Sequence, residues 1–166
     1  MMRRDFMTRT AAILGLGTAA GAVTRGATAT AAEGEETFPL TRTESEWREM
    51  LSDAEYRVMR EEGTERAFSS PLHDLKTEGT YVCRGCDQAL YSSEHKFDSG
   101  TGWPSYWQPI AEDAVGTKPD RSFFMVRTEV HCSNCGSHLG HIFEDGPEPT
   151  GLRHCINGVS LKFQEA

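Results

Sequence analysis

The sequence predicts a mainly β domain, opened by short helices and held together by four cysteines around one metal ion. Three observations carry this. From Thr80 onward, short β-prone runs alternate with turn clusters, punctuated by Gly79, Gly85, Gly100, Gly102, Gly136, Gly140, Gly146, Gly151 and Gly158. Four of the five cysteines form two Cys-x-x-Cys pairs, Cys83/Cys86 and Cys132/Cys135. Ahead of both lie two helix-start signatures. A chain of 166 residues accommodates one such domain with extensions.

Residues 1–32 differ from the rest. Arg3-Arg4 precedes Phe6, and a small-residue run from Ala11 to Val23 is too short to span a bilayer comfortably. Ala27 to Ala32 then offers Ala-x-Ala cleavage sites. This reads as a signal peptide, and the arginine pair makes it resemble a twin-arginine (Tat) signal, which exports folded proteins. The expectation is an exported, periplasmic or extracellular protein with no stable membrane insertion once processed. Its loss removes four arginines and one aspartate, so a chain of net charge -8 becomes more acidic still. That charge argues against nucleic acid, which needs a cationic face. Lysine is scarce, with only Lys76, Lys96, Lys118 and Lys162.

Residues 33–42 read as a polar tether and 43–166 as the domain. Thr43-Glu44-Ser45-Glu46 is a capping box that opens a helix burying Trp47, Met50 and Leu51. Ser52-Asp53-Ala54-Glu55 repeats the signal, with Tyr56 and Met59 inward and Gly63 as the stop. These helices are expected only to cover a core. Strands are expected at Thr80–Cys83, Ala89–Ser92, Ser122–His131, His141–Phe143 and Val159–Phe163.

Each Cys-x-x-Cys can turn two thiolates toward one ion, and two such knuckles supply the tetrahedral four-sulfur shell of structural zinc. The long separation between the pairs places them at the tips of two hairpins, clamped together by the ion. Disulfides suit an exported protein, but Cys-x-x-Cys bonds are usually labile redox groups. Iron takes the same ligands.

Cys155 is left over. Arg153, His154 and Asn157 stand within two positions of it, and His138 and His141 lie upstream. A thiolate is the nucleophilic form of cysteine, and cationic neighbours favour it; a buried cysteine can equally be an inert small hydrophobe. On a strand, Arg153, Cys155 and Asn157 share one face and His154 takes the other. His138 and His141 would point to opposite faces, so a turn at Gly140 is needed to bring both inward.

Phe97-Asp98-Ser99-Gly100-Thr101-Gly102-Trp103-Pro104-Ser105, His138-Leu139-Gly140-His141-Ile142-Phe143, the run Asp145 to Asn157, and Ser160-Leu161-Lys162-Phe163 occur in that order with the two knuckles. Together they resemble the B-type methionine-R-sulfoxide reductases, from about Thr43 to Phe163. The resemblance implies two small antiparallel sheets with short N-terminal helices. It implies thiol-dependent repair of oxidised proteins, by reduction of the R epimer of methionine sulfoxide. By match to the family's motifs, Cys155 would be the nucleophile, with His138 and His141 around the sulfoxide; because imidazole titrates near neutral pH, His141 is the expected proton donor, with His138 beside it. Trp103 would hold the substrate methyl, and Asn157 would face the sulfoxide. On residue chemistry alone, Trp103 could be plain core, the two histidines satisfied core residues, and Arg153 one half of a surface ion pair.

One departure matters. Many family members have a second cysteine between the two glycines before Trp-Pro; here that position is Thr101. A sulfenic acid on Cys155 is therefore expected to be recycled by an external, thioredoxin-like thiol. The competing expectation is a metal-clamped module of the same fold that binds a ligand without turnover. Either would act as a monomer.

Overall fold

The computed structural model describes residues 37–122 and 125–166. The leader expected at residues 1–32 lies outside them. Among the described residues, no helix is long and apolar enough to cross a membrane.

Both capping boxes form. Helix α1 (Glu44–Met50) starts at Thr43, whose side chain accepts from the Glu46 amide while the Glu46 carboxylate accepts from the Thr43 N–H. Helix α2 (Asp53–Met59) repeats this with Ser52 and Glu55. Trp47, Leu51, Val58 and Met59 are buried, whereas Met50 is exposed. The helix ends at Met50, and Leu51 turns inward in its place. Helix α2 stops before Gly63, and Glu62 supplies the positive φ. Gly63 is needed for another reason: a Cβ there would stand 2.7 Å from the Arg57 carbonyl oxygen, which accepts the Gly63 N–H.

The strands make two antiparallel sheets, as expected. In the smaller, β1 (Gly79–Cys83) lies between β2 (Ala89–Ser92) and β9 (Leu161–Glu165). The larger runs β3 (Lys96–Phe97), β4 (Ser105–Tyr106), β8 (Arg153–Ile156), β7 (His138–Phe143), β6 (Arg127–Cys132), β5 (Val115–Asp120). The strand expected to begin at Ser122 begins at Arg127, β7 begins three residues earlier than expected, and a 3-10 turn at Gly158–Ser160 delays β9. Strand β5 was not anticipated. Its Gly, Lys, Pro and Asp are poor strand formers, and Pro119 is tolerated because β5 is an edge strand.

Between the sheets, Tyr81, Tyr91 and Tyr106 are fully buried, with Tyr91 stacked on Tyr106 at 4.3 Å between ring centres. The Tyr91 hydroxyl meets His154 Nδ1 at 3.1 Å. His154 thus points into the core, opposite Cys155, as the alternation of β8 requires. Residues 37–42, expected to belong to the tether, lie against the second knuckle instead. Phe38 packs edge-on to His131, and the Leu40 N–H donates to the Asn134 carbonyl.

Burial holds His154 neutral, its pKa pushed down to about 4. The unfolded chain takes up that proton near pH 6.5 and the folded one does not, so stability present above pH 6.5 is lost as pH falls toward 4. The loss should reach about 3 kcal/mol. Urea midpoints of the native protein should therefore drop across this window, and His154→Gln should flatten the drop.

Candidate active site and metal centre

The two knuckles share one local design. In each, the residue after the second cysteine takes a positive φ (Asp87, 60°; Gly136, 66°). Its N–H returns to the carbonyl of the first cysteine. The four sulfurs gather within 4.8 Å of one another. Cys83 and Cys135 stand 3.7 Å apart and Cys86 and Cys132 3.5 Å apart. These are not disulfides, which need about 2.05 Å. A tetrahedral ion with metal–sulfur bonds of about 2.3 Å requires sulfurs about 3.8 Å apart, so the four cysteines fit a metal ion.

The helices do more than cover the core. The guanidinium groups of Arg42 and Arg60 both stack on Trp47, at 4.9 and 4.7 Å. Arg42 donates to the Gly85 carbonyl and Arg60 to the Cys135 carbonyl. One aromatic ring and two arginines thus seat both knuckles.

Cys155 sits in the middle of the larger sheet. Its cross-strand neighbours are His141 on β7 and Ser105 on β4. It opens into a cleft of about 150 Å³ walled by Trp103, Phe143, His141, Asn157 and Arg127. Trp103 is oriented by its indole N–H, which donates to the Glu65 carbonyl at 3.2 Å.

The neighbours of the sulfur favour thiolate, as their chemistry implies, but burial outweighs them. Burial raises the Cys155 pKa above its ordinary value, and the Arg153 charge and the Thr101 hydroxyl only partly offset that. Arg153 reaches the Cys155 sulfur and also makes a two-pronged ion pair with Asp145 at 2.8 and 2.9 Å and stacks over Phe143 at 4.4 Å. It braces a wall of the cleft without lining it. Asn157 lines the cleft, but its amide is engaged, accepting from the Glu65 N–H at 2.9 Å and donating to the Leu139 carbonyl at 3.0 Å.

His138 and His141 do come together, with ring centres 5.4 Å apart. The device is a bulge rather than a turn at Gly140. His131 pairs with His138 and Val130 with Gly140, so Leu139 is an extra residue in β7 and the alternation changes phase there. Only His141 faces the Cys155 cleft. Its Nε2 lies 2.8 Å from Asp120 Oδ2, which also receives Arg127 at 2.6 Å. Burial lowers the His141 pKa, Asp120 works against that, and Arg127 and His138 reinforce it. His138 pairs with Glu129 at 2.8 Å and lines a separate cleft.

Asp120, Arg127, Phe143, Glu65 and Glu129 escaped the sequence reading. Glu129 did leave a signal, a charged residue two positions from His131 on a strand with a buried face. Asp120 left none, because only the β5–β6 pairing brings it to His141.

A model of the SelR domain matches residues 51–165. A relative named peptide methionine sulfoxide reductase MsrB from Methanosarcina barkeri is 55% identical over 125 residues, covering 75% of this chain and 88% of its own length. Relatives of the same name from Hahella chejuensis and Leptospira interrogans are 50% and 48% identical, covering 76% and 77% of this chain and 91% and 98% of their own.

A thiol reagent should find one accessible sulfur, Cys155, in the native metal-loaded protein, its alkylation still accelerating above the ordinary thiol pKa. A chelator should release four more thiols together with one metal equivalent. Five thiols titrating alike before chelation would contradict the cluster.

Proposed function

The chain belongs to the SelR-domain family of methionine sulfoxide reductases, and from that membership we propose that it reduces the R epimer of methionine sulfoxide in oxidised proteins. The observation that carries this is the cleft itself. A lone, reduced cysteine is directly paired across the sheet with a histidine, beneath two aromatic walls.

The electrophile is the sulfoxide sulfur, and the geometry suggests how it is met. The substrate methyl packs on Trp103, beside Phe143, which leaves the oxygen toward His141. The Cys155 sulfur attacks the sulfoxide sulfur while the oxygen is protonated from the histidine side. The oxygen passes to Cys155, the methionine sulfur gains two electrons, and Cys155 loses two to become a sulfenic acid. The thiol was neutral, so the proton it releases balances the one the oxygen takes. A sulfoxide of the other hand, with its methyl on the same wall, directs its oxygen away from His141. Asn157 serves this site as a framework group, tying the Glu65 segment to β7.

Recycling falls to an external thiol, because Thr101 replaces the second cysteine and the remaining four sulfurs are gathered elsewhere. That thiol attacks the sulfenic sulfur, water leaves, and a second thiol resolves the mixed disulfide, restoring Cys155. A thioredoxin-like dithiol fits this role. The clamp ion we assign as zinc, whose preference for a closed four-thiolate tetrahedron matches the cluster. Export rests on the leader Arg3-Arg4-Asp5-Phe6 and its alanine-rich end.

With racemic methionine sulfoxide and dithiothreitol, one enantiomer should disappear, and Cys155→Ser should reduce kcat at least ~10³-fold. One turnover without reductant should add a single oxygen to Cys155, trappable by a sulfenic-acid reagent. Consumption of neither enantiomer by metal-loaded protein would favour a ligand-binding module, and an intramolecular disulfide at Cys155 would exclude direct recycling. For export, replacing Arg3-Arg4 with Lys-Lys should strand the protein in the cytoplasm; unchanged export would remove the twin-arginine reading.

A further inference from the structure

The segment from Thr64 to Ser70 belongs to no helix or strand, yet it is anchored at both ends. Thr64 lines the Cys155 cleft. Glu65, only 6% exposed, uses every polar group it has. Its carboxylate accepts from the Gly158 and Val159 amides at 2.5 and 3.1 Å, its N–H donates to Asn157 Oδ1, and its carbonyl accepts from the Trp103 indole. Gly158 permits this approach, because a Cβ there would stand 2.0 Å from Ser70 Oγ and 3.3 Å from Glu65 Oε1.

Phe68 breaks the pattern of burial. It is 64% exposed, and it takes left-handed backbone, φ 62°, at the third position of a turn closed by the Ser69 N–H on the Arg66 carbonyl. That position suits glycine or asparagine, and a bulky side chain there strains the backbone. The strain is matched by contacts with Gly102. The Phe68 N–H donates to the Gly102 carbonyl at 2.8 Å, and the ring covers Gly102 so closely that a Cβ would come within 2.7 Å of it. His73 packs edge-on against the same ring at 5.5 Å between centres. Gly102 immediately precedes Trp103. One segment therefore grips the backbone ahead of the aromatic wall with Phe68 and the indole itself with Glu65.

We propose that Glu65 and Phe68 are positioning residues for the reductase reaction, fixing the depth at which the Trp103 ring meets the substrate methyl. This rests on the reductase reading above. Each acts through Trp103 rather than on the substrate. An indole held at one point can pivot about it; held from two sides it leaves room for a methyl and refuses a longer arm. A pocket of this kind separates substrates that differ by one methylene by about 10- to 200-fold. A purely structural segment would act differently. Its loss would leave fewer folded molecules and a lower apparent kcat, with the KM and selectivity of the folded fraction unchanged.

The test compares the methyl and ethyl sulfoxides of one N-acetylated amino-acid amide as substrates of the metal-loaded protein, with dithiothreitol as reductant. The native protein should favour the methyl compound. Glu65→Gln keeps the shape but turns an amide N–H toward a backbone N–H, so one anchor is lost. Its KM for the methyl compound should rise about tenfold, and its methyl-to-ethyl preference should fall about fivefold. Phe68→Asn tolerates the left-handed backbone and removes the ring. It should keep the native urea midpoint while its preference falls about threefold, and it decides the matter if Glu65→Gln does not fold. Phe68→Tyr, which keeps the ring, should behave as the native protein does. Unchanged KM and preference in both Glu65→Gln and Phe68→Asn would overturn the proposal. So would a native protein that reduces both compounds equally well, and either result leaves the reductase reading standing. Failure of the native protein to reduce either compound would overturn the reductase reading instead, and the proposal with it.

Discussion

The site depends on how closely β7 approaches β8 at Gly140. A Cβ there would lie 2.0 Å from the Cys155 carbonyl oxygen, so any side chain would push the strands apart. With glycine the backbones close, and His141 is set directly across from Cys155. One residue earlier, the bulge at Leu139 changes the phase of β7. Without it, His138 and His141 would face opposite sides of the sheet, and the relation between them would be lost. The first knuckle ends β1 and the second joins β6 to β7, so the sulfur cluster anchors the strand that carries both histidines at its starting end. Clamp and reaction site are thus two ends of one piece of β structure.

Charge is handled in the same economical way. The acids near the site are each matched to donors: Asp120 to His141 and Arg127, Glu129 to His138 and Lys118, Asp145 to Arg153. Glu65 is a latch of a different kind. Its buried carboxylate accepts from the Gly158 and Val159 amides, while its own backbone holds Trp103 and Asn157. Burial raises its pKa and those amides pull it back. Glu65 and Glu129 are buried, and leaving either unpaired would disfavour folding; paired, they hold Trp103, Asn157 and His138 in place.

What could be read from the sequence was local. Capping boxes at Thr43 and Ser52 are decided within four residues, and a Cys-x-x-Cys knuckle within five, so both were legible, as was the opposition of His154 and Cys155. The ordered motifs contain Cys155, His141, Trp103 and Asn157, which the fold brings to one cleft. What failed was whatever depends on pairing between distant strands. The sequence of β5 does not resemble a strand, and it becomes one because β6 offers it an edge. The bulge at Leu139 is a property of the β6–β7 register and has no local mark beyond the glycine beside it. Arg153 was assigned to the sulfur by proximity along the chain, and it does reach it, but its ion pair with Asp145 and its stacking on Phe143 had no local mark. The cation beside Cys155 was visible along the chain, whereas the burial that outweighs it is a tertiary property.

A neutral thiol suits a protein whose one uncommitted sulfur must survive between substrates. Thiolate reacts readily with oxidants and other disulfides, whereas a protonated, buried sulfur does so slowly. Thr101 sharpens the point. Its hydroxyl reaches the Cys155 sulfur and is itself held by Ser99, which also bonds Ser105, the cross-strand neighbour of Cys155. A cysteine at position 101 could attack a sulfenic acid at Cys155; this chain of hydroxyls offers it only hydrogen bonds. On the proposed reading, an oxidised Cys155 would then depend on a thiol from outside. On the proposed cycle that thiol would enter through the same aromatic cleft as the substrate, between Trp103 and Phe143, so methionine would leave before the reductant arrived.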